Sequence, residues 1–479
     1  MSAHHTAEAI HNRLTHPVID SDGHWIEFEP AAMEYLRQVG GDKIVERYNK
    51  VANQFGNKKW ATLSAEERRE RRMLQPGWWG VPTKNTRDRA TAMLPKLLYE
   101  RMGELGLDFA IIYPTSGALF APFQRDEEIR RAASRAFNMY TADQFSGLGD
   151  RLAPAAVVPM FTPEEAIEEL EFAVKQLGFK AVMLGSLPRR PIPAVAKSNP
   201  DASRYATWHD VLGLDSAYDY DPVWAKCLEL GVPPSFHSAS SGIGLRTSIS
   251  NFVYNHIGHF GQAGEAVCKA LFIGGVTRRF PTLRFAFLEG GVGWACSLYS
   301  DLIGHWKKRN AEALDAVNPA NLNRELLVDY VQRYGSQAFL NTIDQLAPGV
   351  GLLMERPEQL DDFAACDIKK PQDIRDLFVP NFYFGCEADD PVTSWAFKDT
   401  VNPYGARLNA LFGSDIGHFD VPDMTDVLPE AYEGVEDGIM TESDFRDFVF
   451  GNAVRFWTDV NPNFFTGTAV ESQVQKFLA

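Results

Sequence analysis

The chain has few of the features that mark several large protein classes. Its 479 residues include only five cysteines, which are scattered and form no CxxC pair: Cys227, Cys268, Cys296, Cys366 and Cys386. Neither a disulfide framework nor a zinc knuckle is therefore indicated. No apolar stretch approaches the about 20 residues that a membrane helix requires, and no apolar leader opens the sequence. We expect a cytoplasmic protein that does not enter a membrane.

Basic residues and nucleotide-binding motifs are also scarce. Lysine and arginine total 47 against 63 aspartates and glutamates, which gives a formal net charge of -16. A nucleic-acid partner is excluded on this ground, because phosphates require a basic surface. Gly290-Gly291-Val292-Gly293 lacks the GxGxxG spacing, and neither a phosphate loop nor GxSxG occurs. The remaining expectation is a small-molecule substrate without a nucleotide cofactor.

Eight short apolar runs predict the strands of a parallel sheet. They are continuous, not alternating, which is typical of strands buried on both faces. Helical patterns separate them, so the sequence predicts a (β/α)8 TIM barrel. The runs are Pro17–Trp25, Leu107–Thr115, Leu152–Met160, Phe179–Leu187, Val232–Ser238, Arg284–Gly290, Asn381–Glu387 and Leu408–Ser414. We predict one domain over residues 1–479, with insertions at about 26–105, 188–221 and 311–380.

Acidic and imidazole side chains occur at the ends of four of these strands. Asp22 and His24 are two residues apart, which places both side chains on one face of the first strand. His237, Glu289 and Asp415 each close a later apolar strand. The carboxyl ends of barrel strands meet at one face, where a buried unpaired charge would be costly. The pattern predicts a metal site to which all five residues contribute.

Two further residues extend the predicted ligand set. Glu27 lies just past the first strand, and His418 follows Asp415 by three residues. Glu289, His418 and Asp415 are the candidates for catalytic roles. A donor set rich in carboxylates suits manganese or iron better than zinc. Two ions would balance the charge, which favours two Fe or Mn ions. The alternative is one ion, zinc included, with Glu27 and Glu289 as supporting groups or bases.

The motifs also resemble those of a known family. Asp22-Gly23-His24, His237 and Asp415 look like the metal motifs of the amidohydrolase-related superfamily, specifically its decarboxylase-type branch. The segments 102–108 and 452–456 are similar to that family's helix before the second strand and its C-terminal helix. The resemblance implies a barrel with a catalytic divalent metal. In two places oxygen replaces nitrogen, because Asp22 and Glu289 stand where the family usually has histidine.

This carboxylate-rich variant resembles a subset of the superfamily that includes dinuclear non-haem oxygenases. It implies an O2-dependent hydroxylase of a small carboxylate-bearing substrate. One alternative is a mononuclear zinc or manganese decarboxylase or hydrolase, which the broad family favours. A third possibility is a supporting subunit of a hetero-oligomeric enzyme. The long insertions make a homo-oligomer, or a hetero-oligomer with a related barrel subunit, the expected assembly.

Overall fold

The computed structural model describes residues 6–53, 56–77, 84–345 and 361–479. Within these ranges ten strands form two sheets, an eight-stranded barrel sheet and a two-stranded hairpin. They are β1 Ile19–Trp25, β2 Phe109–Pro114, β3 Leu152–Val158, β4 Ala181–Leu184, β5 Arg189–Pro191, β6 Thr207–His209, β7 Pro234–Phe236, β8 Phe285–Phe287, β9 Phe382–Glu387 and β10 Asn409–Gly413. The barrel order is β1-β2-β3-β4-β7-β8-β9-β10, with parallel pairing throughout. The predicted (β/α)8 barrel is confirmed.

The barrel closes where β10 meets β1. The backbone N–H of Asp415 donates to the carbonyl of Asp22 at 3.0 Å, and that of His24 donates to Ile416 at 3.2 Å. The register of β1 against β2 shifts between Asp20 and Gly23. These hydrogen bonds join the first and last strands at their carboxyl ends, where both carry candidate ligands.

Twenty-two α-helices surround and extend the barrel. They are α1 Ala7–His11, α2 Glu29–Ala52, α3 Gly56–Thr62, α4 Ala65–Glu70, α5 Thr86–Met93, α6 Pro95–Leu105, α7 Ser116–Phe120, α8 Glu127–Gln144, α9 Pro163–Glu171, α10 Pro193–Ser198, α11 Asp221–Leu230, α12 Phe252–His256, α13 His259–Ile273, α14 Val276–Arg279, α15 Gly293–Arg309, α16 Arg324–Tyr334, α17 Gln337–Leu340, α18 Pro371–Phe378, α19 Val427–Glu436, α20 Glu442–Arg446, α21 Asn452–Thr458 and α22 Glu471–Leu478. That count covers the described residues. None of these helices is long and apolar enough to span a membrane.

The core explains why the strands appear as continuous apolar runs in the sequence. Every residue of β1 and β2 is buried, because each strand contacts the barrel interior on one face and the surrounding helices on the other. The mixed charges of the sequence lie mostly on the helices. Apolar burial therefore sets the positions of the strands, and their carboxyl ends are left to carry polar side chains.

The segments predicted as insertions hold distinct elements. Residues 26–105 contain α2 to α6, and 188–221 contain the antiparallel β5–β6 hairpin. The hairpin is fixed by Arg190, whose buried guanidinium binds Asp210 and donates to the hydroxyl of Tyr220 at 2.8 Å. Residues 311–380 contain α16 to α18, with 346–360 outside the described residues.

Candidate metal centre

Five buried side chains from four strand ends lie close together, in two overlapping groups that share His24 and Glu289. The Nε2 atoms of His24 and His237 are 3.2 Å apart. His24 Nε2 lies 3.4 Å from an oxygen of Asp22 and 3.4 Å from one of Asp415. His237 Nε2 lies 2.9 Å from Glu289 Oε2 and 3.6 Å from Asp22 Oδ1. Of the seven residues predicted as ligands, these five form one compact cluster.

Several donor atoms in the cluster have no hydrogen-bond partner. Asp22 Oδ1, Glu289 Oε2 and both carboxylate oxygens of Asp415 are buried and lack one. Buried polar atoms are normally satisfied, and an unpaired buried carboxylate is among the costliest exceptions. A cation shared by these oxygens and the two facing imidazole nitrogens would satisfy them together. The donor set therefore fits a divalent metal ion.

Burial shifts the acid–base behaviour of the cluster towards its neutral forms. It raises the pKa of Asp22 to about 6 and lifts the pKa values of Glu289 and Asp415 well above their ordinary range. Neighbouring carboxylates raise the pKa values of Glu289 and Asp415 further. Burial also lowers the pKa of His24 well below its ordinary value. A bound cation would offset the cost of charging these carboxylates and would be coordinated by neutral imidazoles.

Backbone conformation at the strand ends also points to function. Glu289 and Asp415 both adopt left-handed conformations, with φ of 55° and 48°. Residues other than glycine rarely do so, and such strain concentrates at active sites and ligand clamps. In both cases the turn directs a carboxylate into the cluster from a strand that has just ended.

His418 lies beside the cluster and shares a short contact with it. Its ring stacks on that of His24 at 4.1 Å between centroids. The hydroxyl of Thr115 donates to the carbonyl of Trp25, so it accepts from His418 Nε2 at 3.1 Å. This assigns the hydrogen to Nε2 and leaves Nδ1 facing Asp415 Oδ1 at 2.6 Å. Two acceptors so close require a proton or a metal ion between them.

Glu27 is not brought into the cluster. Its buried carboxylate accepts hydrogen bonds from the backbone N–H groups of Thr115, Ser116 and Gly117 at 2.6–3.0 Å. These groups form the start of α7, where a negative charge is favourable. The side chain fixes the loop after β2, and its placement argues against a role as a metal ligand.

Asp20 is a site residue that the strand-end pattern does not reveal. It is fully buried, and Oδ1 accepts from the backbone N–H of Asp22 and of Ser414 at 3.0 Å each. Oδ2 accepts from the Ser414 hydroxyl at 2.5 Å. Asp20 thus ties β1 to the turn that carries Asp415. Its position inside an apolar run was the available signal, since a charge there needs partners.

Replacing Gly23 by alanine is expected to destabilise the protein by about 1–3 kcal/mol. A Cβ at this position would lie 2.6 Å from Asp20 Oδ2 and 3.0 Å from Ile112 Cδ1. The matched control is Gly103→Ala in α6, where a Cβ meets nothing within 4 Å. The control should gain about 0.5–1 kcal/mol, because alanine is the better helix former. Urea unfolding of both variants measures the difference, and equal stabilities would contradict the packing described for Asp20.

A cavity of about 260 Å³ adjoins the cluster and shares Glu289 with it. Glu387 at the end of β9 and Asp420 in the loop after β10 line it, as do His256 and His259. Glu289, Glu387 and Asp420 each bring a carboxylate oxygen within 4.8 Å of the others. Burial raises the pKa of Glu387 to about 9, and the charge of Glu289 adds to this effect. The cavity therefore concentrates carboxyl groups beside the cluster.

The architecture and the donor cluster define a barrel with a group of side chains able to hold a metal ion at the carboxyl ends of its strands. Residues 112–316 match the family model described as amidohydrolase. The predicted resemblance to the amidohydrolase-related superfamily is confirmed. This segment of the chain is therefore similar to the amidohydrolase family, and the donor cluster agrees with that similarity.

Solved structures with related folds accompany this match, whereas no curated protein matches the chain. An amidohydrolase from Mycobacterium avium subsp. paratuberculosis K-10 is similar at 19% identity and a TM-score of 0.52, covering 93% of this chain and all of that one. 2,6-Dihydroxybenzoate decarboxylase from Rhizobium is similar at 16% identity and a TM-score of 0.47, with 93% and 99% covered. 5-Carboxyvanillate decarboxylase from Novosphingobium aromaticivorans, with bound manganese, is similar at 14% identity and a TM-score of 0.45. That match covers 93% of this chain and 97% of the decarboxylase. The first of these structures shows a shared fold and leaves the substrate open.

The hydroxylase expectation finds no support in these findings. The matched family is named for hydrolytic chemistry. The alternative reaction, non-oxidative chemistry at a divalent metal, agrees better with the family match.

Proposed function

We propose that this protein is a non-oxidative metal-dependent enzyme, a decarboxylase or hydrolase of a small carboxylate-bearing molecule. The metal ion is single, and Asp22, His24, His237, Glu289 and Asp415 hold it. Manganese or zinc is the expected ion. The alternative predicted from sequence thereby replaces the hydroxylase as the preferred reaction.

One observation supports the single ion above all. The Nε2 atoms of His24 and His237 lie 2.9–3.8 Å from each other and from the carboxylate oxygens that they face. Ligands at about 2.1 Å from one ion lie about 3.0–3.4 Å from one another in tetrahedral or octahedral geometry. The distances measured from the two histidines are thus those expected between ligands of one ion. Three strand ends besides β1 contribute, so the ion depends on the closed barrel.

The neighbouring residues supply positioning and proton transfer. A divalent ion bound in the cluster polarises a substrate oxygen or lowers the pKa of a bound water. His418 donates from Nε2 to the hydroxyl of Thr115, which fixes the ring, and its Nδ1 faces Asp415 Oδ1 at 2.6 Å. His418 is therefore placed to exchange a proton with substrate or water at this face. Asp20 and Glu27 hold the loops that carry these groups.

An assay with and without oxygen tests the proposal. Manganese-loaded protein is incubated with a panel of small carboxylic acids and their amides, in air and under strict anaerobiosis. We expect equal turnover in both, with release of carbon dioxide or of the hydrolysed acid. A requirement for oxygen, with a hydroxylated product, would contradict the proposal and restore the oxygenase.

A second candidate is a dinuclear hydroxylase, which one specific observation favours. His24, Glu289, Asp415 and His418 form another donor group that overlaps the first. The 2.6 Å contact between two acceptors, His418 Nδ1 and Asp415 Oδ1, is relieved equally well by a second ion. Two iron or manganese ions would then share Glu289 and Asp415. Elemental analysis decides, because this candidate requires two metal ions per chain.

A further inference from the structure

The cavity beside the cluster is lined by several carboxyl side chains and by few basic ones. Glu289, Glu387, Asp390 and Asp420 line it, and among the described residues no lysine or arginine does. The basic groups on its walls are His256 and His259. Burial lowers the pKa of both, that of His259 to about 3, so neither carries a positive charge at neutral pH. The cavity therefore presents carboxyl groups and uncharged imidazole rings, and the described part of the chain places no side chain of fixed positive charge on its walls.

His259 is the second sign that the cavity takes a ligand. Only 6% of this residue is exposed, yet neither ring nitrogen has a hydrogen-bond partner. It opens α13 on the cavity wall, with its ring against Phe260 at 4.0 Å and against His256 at 4.4 Å between centroids. A buried imidazole without partners is costly unless something in the cavity satisfies it.

The cavity also has an aromatic side. His256 lies 5.4 Å from Phe419 and 6.0 Å from Phe260 between ring centroids, and Phe260 lies 5.0 Å from the metal-cluster residue His237. Aromatic faces attract organic cations, and carboxylates form charge-assisted hydrogen bonds with N–H donors. At about 260 Å³ the cavity has room for several non-hydrogen atoms, well beyond the about 30 Å³ of one water.

We propose that this cavity binds the ammonium group of the substrate, so that the substrates are small amino-carboxylates or other oxygen-bearing amines. The inference rests on the proposed function, because Glu289 borders both sites and a substrate oxygen at the cluster leaves the rest of the molecule in the cavity. Glu387 and Asp420 accept hydrogen bonds from the ammonium group. His259 Nδ1 or Nε2 completes its contacts.

Calorimetric titration with matched ligands tests this assignment. Each pair differs only in an ammonium or a hydroxyl group: 3-aminopropionate with 3-hydroxypropionate, and 4-aminobutyrate with 4-hydroxybutyrate. We expect at least one amine to bind at least tenfold more tightly than its hydroxyl partner. Glu387→Gln should reduce that preference to threefold or less, and Asp420→Asn should weaken it similarly. Glu312→Gln, an exposed control with the same charge change, should leave it intact.

Manganese content is measured on the same samples, and titrations are run with and without the metal. If the protein binds manganese but shows no preference for amines, the cavity assignment is overturned and the proposed function stands. An amine preference in a protein that binds no manganese supports the cavity and contradicts the proposed function. A fall from two manganese ions to one in Glu387→Gln would make the cavity a second metal site and overturn the assignment. Circular dichroism and a thermal melt check the folding of each variant.

Discussion

Replacing Asp415 by asparagine is expected to abolish turnover and to lower the metal content sharply. The amide keeps the size of the side chain but removes a charge from the centre of the cluster. Groups behind metal ligands already contribute about 10–100-fold to affinity or activity, so loss of a ligand should exceed about 100-fold. Steady-state kinetics and elemental analysis of the purified variant measure both effects.

The fold of this variant should be intact. Without metal, Asp415 adds to a group of mutually repelling buried carboxylates, so Asp415→Asn should be as stable as the unchanged protein or more so. Added manganese should raise the thermal midpoint of the unchanged protein but not that of the variant. Asp399→Asn, an exposed control, should behave like the unchanged protein in every assay. Full turnover with full metal in Asp415→Asn would show that the cluster is not the active site.

Replacing Glu289 by glutamine is the second change with a large expected effect. Glu289 Oε2 lies 2.9 Å from His237 Nε2, and the side chain also borders the acidic cavity. We expect turnover to fall by more than about 100-fold and metal to bind more weakly, since a charged donor is lost. Equilibrium dialysis against manganese, together with the assay, measures these effects.

The outcome of this substitution also separates one ion from two. With a single ion, Glu289→Gln weakens one binding event, whereas a shared ligand of two ions would lose one ion and retain the other. Glu312→Gln again provides the matched control. Unchanged metal affinity and unchanged turnover would remove Glu289 from the centre and leave its left-handed backbone without an explanation.

The ends of the strands could be predicted from the sequence for a physical reason. Parallel strands buried on both faces appear as apolar runs, and their carboxyl ends meet at one face of a barrel. Side chains that end such runs, as His237 and Asp415 do, must therefore approach one another. The structure brings five of the seven predicted ligands close together, as the pattern leads one to expect, and their binding of a metal stays a prediction.

Residues beyond the strand ends were less predictable, because loops follow contacts that are distant in sequence. Glu27 is held by backbone groups 88–90 residues away, at the start of α7. Asp420 reaches the cavity only through the course of the loop after β10. Asp20 shows the same limit, since its partner Ser414 is 394 residues distant. Such partners meet only when the barrel closes, and the spacing of residues along the sequence does not predict which residues then come together.

Helix α9 shows a local pattern whose outcome depends on a remote partner. Thr162 and Glu165 have the spacing of a capping box, and the Thr162 hydroxyl accepts from the backbone N–H of Glu165 at 3.2 Å. The Glu165 carboxylate instead binds the buried guanidinium of Arg130 through two hydrogen bonds of 2.6 Å. Two charge-assisted hydrogen bonds from a guanidinium are stronger than one hydrogen bond from a backbone N–H. The start of the helix was predictable from sequence, whereas the partner of Glu165 was not.

Anomalous diffraction from crystals of manganese-loaded protein tests the central claim most directly. We predict one strong peak at the carboxyl end of the barrel, within about 2.0–2.3 Å of Nε2 of both His24 and His237 and of oxygens of Asp22, Glu289 and Asp415. Two peaks sharing Glu289 would contradict the single-ion centre. A protein that takes up manganese elsewhere, or not at all, would contradict the assignment of this cluster as a metal site.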